Sequence, residues 1–384
     1  MTLLILQKND GIVRVARNGV IADYPVLDVN VANQGEQGML GIATGGGGNN
    51  NTVYLYFTES SRDSGEAISK RVYRYTWNGE ELVDPVLVKD LPATQTYHNG
   101  GAMTRGPDGI IYLAVGDTGR YGILQNKIGG NFYPDTSVIV PIQPQGNYYA
   151  IGIRNSFGLA FDPVTGKLWD TENGNDDFDE INLVEPGFNS GWQVVMGPAK
   201  AASDLANLVD YGNYTYSDPK FSWQRTVAPT GLTFIDSSGP MSKYKDSLFV
   251  GDCNNGNLYR FRLNQQRNGF VFADPGLSDN VANLNDSMSE IIFGENFGCI
   301  THLDIGPDGL LYITSLGSNA IFRLVPKTMA ASGGSGPFRV LGLNNNNTQF
   351  LYIVAAAIVG ICIIGGILAY NRRRSLYKRK ASQS

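Results

Sequence analysis

The sequence predicts an all-β protein, a six-bladed β-propeller whose first blade is incomplete, followed by one C-terminal transmembrane helix. Three observations carry this. The 384 residues include 47 glycines, 20 tyrosines and 17 phenylalanines, and turn formers separate short β-branched and aromatic runs. A meander motif of about 50–70 residues recurs along the chain, close to one blade per repeat. Residues 350–370 contain no charge.

The repeats come in order. TLLILQ and GIVRVARNG, at the start, supply two strands without a preceding apolar strand and turn. GIATGGGGNNNTVYLYFT (41–58) leads into RVYRYTWNG (71–79), and AMTRGPDGIIYLAVGD (102–117) follows. GLAFDPVTGKLWDTENG (158–174) leads into DEINLVEPG (179–187). GLTFIDSSG, SLFVGD and NLYRFRL fall within 231–263, and ITHLDIGPDGLLYITS (300–315) precedes AIFRLVP (320–326). Pro-Asp-Gly and Gly-rich junctions reverse the chain between strands. One meander leaves a face bare, so radial stacking around a channel is the expected solution, with a single large β-sandwich as the alternative. The expected domain is the propeller over 1–327. Its truncated first blade leaves an unpaired edge, which suggests that the native N-terminus, with its signal sequence, lies upstream of Met1.

Residues 328–349 (TMAASGGSGPFRVLGLNNNNTQ) read as a flexible stalk. FLYIVAAAIVGICIIGGILAY (350–370) matches the roughly 20 apolar residues a helix needs to span a bilayer, with aromatics at both ends. The tail, 371–384, carries Arg372, Arg373, Arg374, Lys378, Arg379 and Lys380 and no acid, which marks the cytoplasmic side. The expected location is therefore the cell membrane, single-pass, with the propeller outside. Four Asn-x-Ser/Thr sequons, at Asn50, Asn213, Asn285 and Asn346, suit that side. Net charge is −5 even with this basic tail, so the remainder is strongly acidic and nucleic acid is not an expected partner.

With the repeats in view, five segments resemble a known family: GEQGMLGIA (35–43), YHNGGAMTRGPDGIIYLAVGD (97–117), YAIGIRNSFGLAFDP (149–163), LWDTENGNDDFDEINLVEPGFNSGW (168–192) and APTGLTF (228–234). Together they are similar to the glucose/sorbosone dehydrogenases, aldose-sugar-dehydrogenase-like propellers that use pyrroloquinoline quinone and calcium. The resemblance implies a histidine that takes a proton from a sugar hydroxyl while hydride passes to the quinone. His98 stands at that position, and imidazole near neutrality suits the task. Arg154 and Asn155 match the family's Arg-Asn pair beside the quinone oxygen, where a guanidinium can hold developing negative charge. Glu36 and Gln125 match residues lining the same site.

Calcium is implied at the carbonyls of Gly174 and Asn175, and Asp179 and Glu180 match acidic residues that serve a second calcium in some relatives. The family's carboxylate-binding lysine and two arginines fall on Asn254, Cys299 and Thr301, so the expected affinity for the trianionic quinone is reduced. Cys253 and Cys299 are read as separate thiols, as a disulfide, or as part of a metal site with His302 or His98. The expected function is a membrane-anchored extracytoplasmic oxidoreductase acting on a sugar or similar alcohol and passing electrons to an acceptor. The alternative is a non-catalytic propeller that binds glycans or a partner at the cell surface.

Overall fold

A computed structural model describes residues 2–45, 51–93, 95–119, 124–127, 134–142, 146–235, 239–326 and 338–343. They form an all-β propeller with one four-residue helix, Ala202–Leu205. The strands fall into six sheets. The first has Thr2–Gln7 at its edge, paired with Ile12–Arg17, which also carries the short strands Val20–Ile21 and Leu27–Asp28. The second is the meander Met39–Thr44, Thr52–Ser60, Ala67–Trp77 and Leu82–Pro92. The third runs Met103–Arg105, Ile111–Val115, Val138–Pro141 and Ala150–Ile151, and extends to Phe188–Asn189 and Thr215–Tyr216. The fourth comprises Ser156–Phe161, Leu168–Glu172, Asp177–Val184 and Phe221–Arg225, with Val281–Ala282 outside. Pro229–Ile235, Ser247–Asp252, Leu258–Arg262 and Ile292–Gly294 make the fifth. Ile300–Ile305, Leu311–Ser315, Ala320–Pro326 and Phe338–Leu343 make the sixth.

Apolar clusters between neighbouring sheets close the ring. Leu6 and Val13 of the first sheet share a core with Met39, Leu55 and Phe57 of the second. Tyr56 and Val72 of the second sheet meet Leu113 and Val138 of the third. Ile5 and Ala16 pack with Leu303, Leu311 and Ile321 of the sixth, so the first sheet is wedged between the second and the sixth. Each sheet can bury both faces only because it has two neighbours, which is why alternating strands stack radially here.

The repeated Gly-Pro-Asp-Gly turn shows how sequence sets local structure. Asp108 accepts hydrogen bonds from Ile110 N–H (2.9 Å) and the Tyr112 hydroxyl (2.8 Å). Its counterpart Asp308 accepts from Leu310 N–H (3.2 Å) and the Tyr312 hydroxyl (2.9 Å). A carboxylate that satisfies a turn and clamps the next strand's tyrosine is a reusable corner.

One boundary changes. Phe338–Leu343, inside the stretch expected to be a flexible stalk, pairs antiparallel with Ala320–Pro326 as the outer strand of the sixth sheet, so the propeller extends past 327. An unpaired strand edge recruits any extended neighbour that can fill its backbone hydrogen bonds, a force that composition does not display. The expected membrane span at 350–370 and the tail at 371–384 lie outside the described residues, among which no helix is long and apolar enough to cross a membrane.

Candidate functional site

The site lies at one end of the ring, where the inner strands begin. The turn His98-Asn99-Gly100-Gly101 enters the third sheet with His98 in the left-handed region (φ 55°). Gly100 has φ 64°, and a Cβ there would come within 2.3 Å of the Ala114 carbonyl oxygen, so only glycine lets the turn lie so close to the sheet. Gly116 does the same from the other side, since a Cβ would stand 2.4 Å from the His98 carbonyl oxygen and 2.8 Å from that of Arg154. Close backbone approach brings His98 and Arg154 together.

Asp117, fully buried, holds the imidazole. Its Oδ1 lies 2.5 Å from His98 Nδ1 and accepts from Gly119 N–H (2.9 Å), while its Oδ2 accepts from Trp192 Nε1 (2.7 Å). A carboxylate on Nδ1 fixes that nitrogen as the donor and leaves Nε2 as the proton acceptor. His98 keeps 17% of its side chain exposed, so the ring is not sealed from solvent.

Arg154 lies over the Trp192 ring with its guanidinium carbon 5.1 Å from the centroid. Its Nη1 donates to the Asn173 carbonyl (2.8 Å), its backbone N–H donates to Glu172 Oε1 (2.7 Å), and its carbonyl accepts from Asp117 N–H (2.8 Å). Burial lowers the pKa of Arg154, and the surrounding carboxylates of Asp117, Glu172 and Glu36 oppose that shift. Asn155 donates to Glu36 Oε2 (3.2 Å) and accepts from Gly100 N–H (3.2 Å), and Glu36 Oε2 also accepts from Asn99 N–H (3.1 Å). Burial raises the Glu36 carboxyl, against the pull of His98 and these donors. The structure therefore unites Glu36, His98, Arg154 and Asn155 and adds Asp117 and Trp192. Both additions sit in the quoted segments, as the Asp of AVGD and the Trp of NSGW, but partnership between them is not visible in one dimension.

Gln125, expected to face a cofactor, is fully buried; its carbonyl accepts from Gln193 N–H (2.7 Å) and its Oε1 from Gln193 Nε2 (2.6 Å). It supports the Trp192 loop from behind. Asp179, expected at a metal, is also committed elsewhere. Its carboxylate accepts from Gly174 N–H (2.7 Å), Val227 N–H (2.6 Å) and Ala228 N–H (2.8 Å), although burial still raises it to about 6. It ties the 174–179 loop to the turn before the fifth sheet. Glu180 points to the opposite face, as the next residue of a strand must, and accepts from Gly197 N–H (2.6 Å) and Asn182 Nδ2 (3.1 Å). The Asn175 amide lies 3.5 Å from Arg154 Nη2. Among the described residues, no group of three or more His, Cys, Asp or Glu side chains is placed to hold a metal.

Cys253 and Cys299 are joined in a disulfide that links the fifth sheet to the entry of the sixth. This settles the open cysteine question against separate thiols and against a metal site with either histidine. Exposed Asn254 donates to the Thr226 carbonyl (3.3 Å), and Thr301 donates to the Thr314 carbonyl (3.3 Å). None of the three expected carboxylate-binding positions presents a cation. Thr301 instead lines an apolar central cavity of about 90 Å³, together with Leu6, Gly101, Phe157 and Leu232.

The sequence model of the family described as "Glucose / Sorbosone dehydrogenase" matches residues 1–323. Quinoprotein glucose dehydrogenase B of Acinetobacter calcoaceticus is 31% identical over 258 residues, which are 56% of this chain and 50% of that protein, so the chain spans half the length of this relative. A Thermus thermophilus oxidoreductase described as a glucose dehydrogenase has a crystal structure that superposes with a TM-score of 0.63 at 24% identity, covering 89% of this chain and 92% of that one. The PQQ-bound aldose sugar dehydrogenase of Streptomyces coelicolor superposes with a TM-score of 0.61 at 22% identity, covering 89% and 90%. At these identities the two structures establish the fold.

Proposed function

The chain belongs to the glucose/sorbosone dehydrogenase family, and on that premise we propose that it is an oxidoreductase acting on a sugar or a similar alcohol. The observation that carries this is the His98–Asp117 pair. A partly exposed imidazole whose Nδ1 is held by a buried carboxylate is oriented to accept a proton from a hydroxyl at Nε2. A positioned base of this kind contributes about 10²–10⁴-fold. As His98 takes the proton, Asp117 stabilises the imidazolium, and Arg154 supplies a fixed positive charge beside it. We read the ring as six-bladed, with the first sheet as its incomplete blade.

Pyrroloquinoline quinone and calcium are the cofactors suggested by relatives. The donor set matches the carbonyl side of the trianionic quinone and lacks the cations that would hold its carboxylates, so weak binding is expected. Arg154 and Asn155 could face its carbonyls, but its carboxylates would meet the Asn254 amide, the Cys253–Cys299 disulfide and the Thr301 hydroxyl, none of them cationic. Each missing charge-assisted contact is worth roughly 1.5–3 kcal/mol. These same three positions favour the second reading, a non-catalytic propeller that binds glycans or a partner. The proposed location is outside the membrane, anchored by residues 350–370. The disulfide supports an oxidising compartment. The exposed sequons at Asn213 and Asn285 are compatible with it.

The test uses the full-length chain with added quinone and calcium, recording dye reduction across a sugar panel and melting temperature. Binding stabilises by mass action. Turnover that is lost in His98→Asn is expected; neither turnover nor a thermal shift would leave the binding module standing.

A further inference from the structure

Lys70 is 1% exposed, and its Nζ makes no hydrogen bond among the described residues. It stands opposite Thr58 and Leu91 in the second sheet, on the face that carries Tyr56 and Val72 into the core shared with the third sheet. The position along that face is equally specific. Thr58 N–H donates to the Gly38 carbonyl, two residues beyond Glu36, and the Tyr56 hydroxyl donates to the Asn99 carbonyl (3.1 Å) in the turn that bears His98. Lys70 thus lies in the interface between the two sheets, at the end occupied by the site. Other polar side chains of the second sheet and the His98 turn are short of partners too: both side-chain polar atoms of Asn99 and the hydroxyls of Thr58, Ser60 and Thr118 are buried without hydrogen bonds among the described residues.

We propose that Lys70 is a positioning residue for the proton-accepting pair: its buried ammonium offsets the charge of Glu36 and Asp117 beneath the His98 turn and so keeps the imidazole free to take a proton. Two carboxylates beside an imidazole would by themselves favour imidazolium, which cannot act as a base. A third charge of opposite sign, out of water, corrects this. The charged groups that bear on the cluster are Glu36 and Asp117 on one side and Lys70, Lys8 and Arg154 on the other, with Lys8 Nζ donating to the Gly35 carbonyl (2.9 Å). Burial brings Lys70 down to about 7, against the pull of Glu36 and Asp117. Removing it leaves the carboxylates uncompensated.

This inference rests on His98 being the base, and its test reads the imidazole without turnover. The full-length chain is labelled at its two histidines, His98 and His302, and the nitrogen signals are followed through a pH titration, with His302→Gln assigning the peaks. In Lys70→Met the His98 signal should titrate about 1 pH unit higher than in the wild type, while Lys70→Arg, which keeps the charge, should stay close to the wild type. Where turnover is measurable, the acid limb of the rate profile should move up with it. If His98 titrates unchanged or at lower pH in Lys70→Met, with Lys70→Arg folded as a control, the assignment is wrong. Loss of turnover in His98→Asn alone tests the base and leaves Lys70 to the titration.

Discussion

The substitution Glu172→Gln should stabilise this protein at pH 8 and do progressively less as the solution is acidified. Glu172 and Glu180 face each other across paired strands of the fourth sheet, Asp170 lies two residues away opposite Asn182, and all three carboxyls are essentially inaccessible. No salt bridge among the described residues reaches any of them, though the Arg154 charge bears on Glu172, and Asp170 has the neutral side chains of Asn182 and Ser156 beside it. Burial raises all three, Glu172 to about 7 even with the Ser190 hydroxyl and Arg154 N–H donating to it. A carboxyl whose folded pKa is raised destabilises the fold once pH exceeds that value, and the penalty vanishes below the unfolded pKa. From 4.5 to about 7, at about 1.36 kcal/mol per unit, the penalty at pH 8 is about 3 kcal/mol, falls to roughly 1 kcal/mol at pH 5.5, and is absent below 4.5. Glutamine retains the acceptor for Arg154 N–H and carries no charge. Denaturant unfolding of wild type and Glu172→Gln between pH 4.5 and 8 measures the difference. A gain independent of pH, or a loss at pH 8, would refute the view that these carboxyls are held against their ionisation.

Asp117→Asn should preserve the packing of Trp192 but present an amide to His98 Nδ1, reducing turnover about 10²–10⁴-fold with little change in sugar KM, as steady-state kinetics would show. Asp162→Ala should destabilise by about 3–5 kcal/mol, because Arg267, 8% exposed, makes two hydrogen bonds to that buried carboxylate, whereas its other carboxylate contact, Asp246, is exposed; equilibrium unfolding beside the double variant Asp162→Ala/Arg267→Met checks it. Reducing the Cys253–Cys299 disulfide should cost about 2–4 kcal/mol and expose two thiols to alkylation, detectable by intact mass.

Taken alone, the residue order settles the elements. The alternation of TVYLYF, the Pro-Asp-Gly corners and the repeat of about one blade prescribe meanders and demand a ring, because each strand pattern has two faces to cover. His98, Arg154, Asn155 and Glu36 could be singled out because their turns are glycine-shaped and their segments resemble a family. What the tertiary structure alone decided is partnership between sheets. Asp117 reaches both His98 and Trp192; Asp179 spends its oxygens on three backbone N–H groups; Cys253 finds Cys299 across 46 residues of chain; and Lys70, a charged residue in an otherwise ordinary strand, ends buried beneath the site. Periodicity tells which face of a strand a side chain takes, but the neighbour on that face comes from a distant part of the chain, and its identity is fixed only when the ring closes.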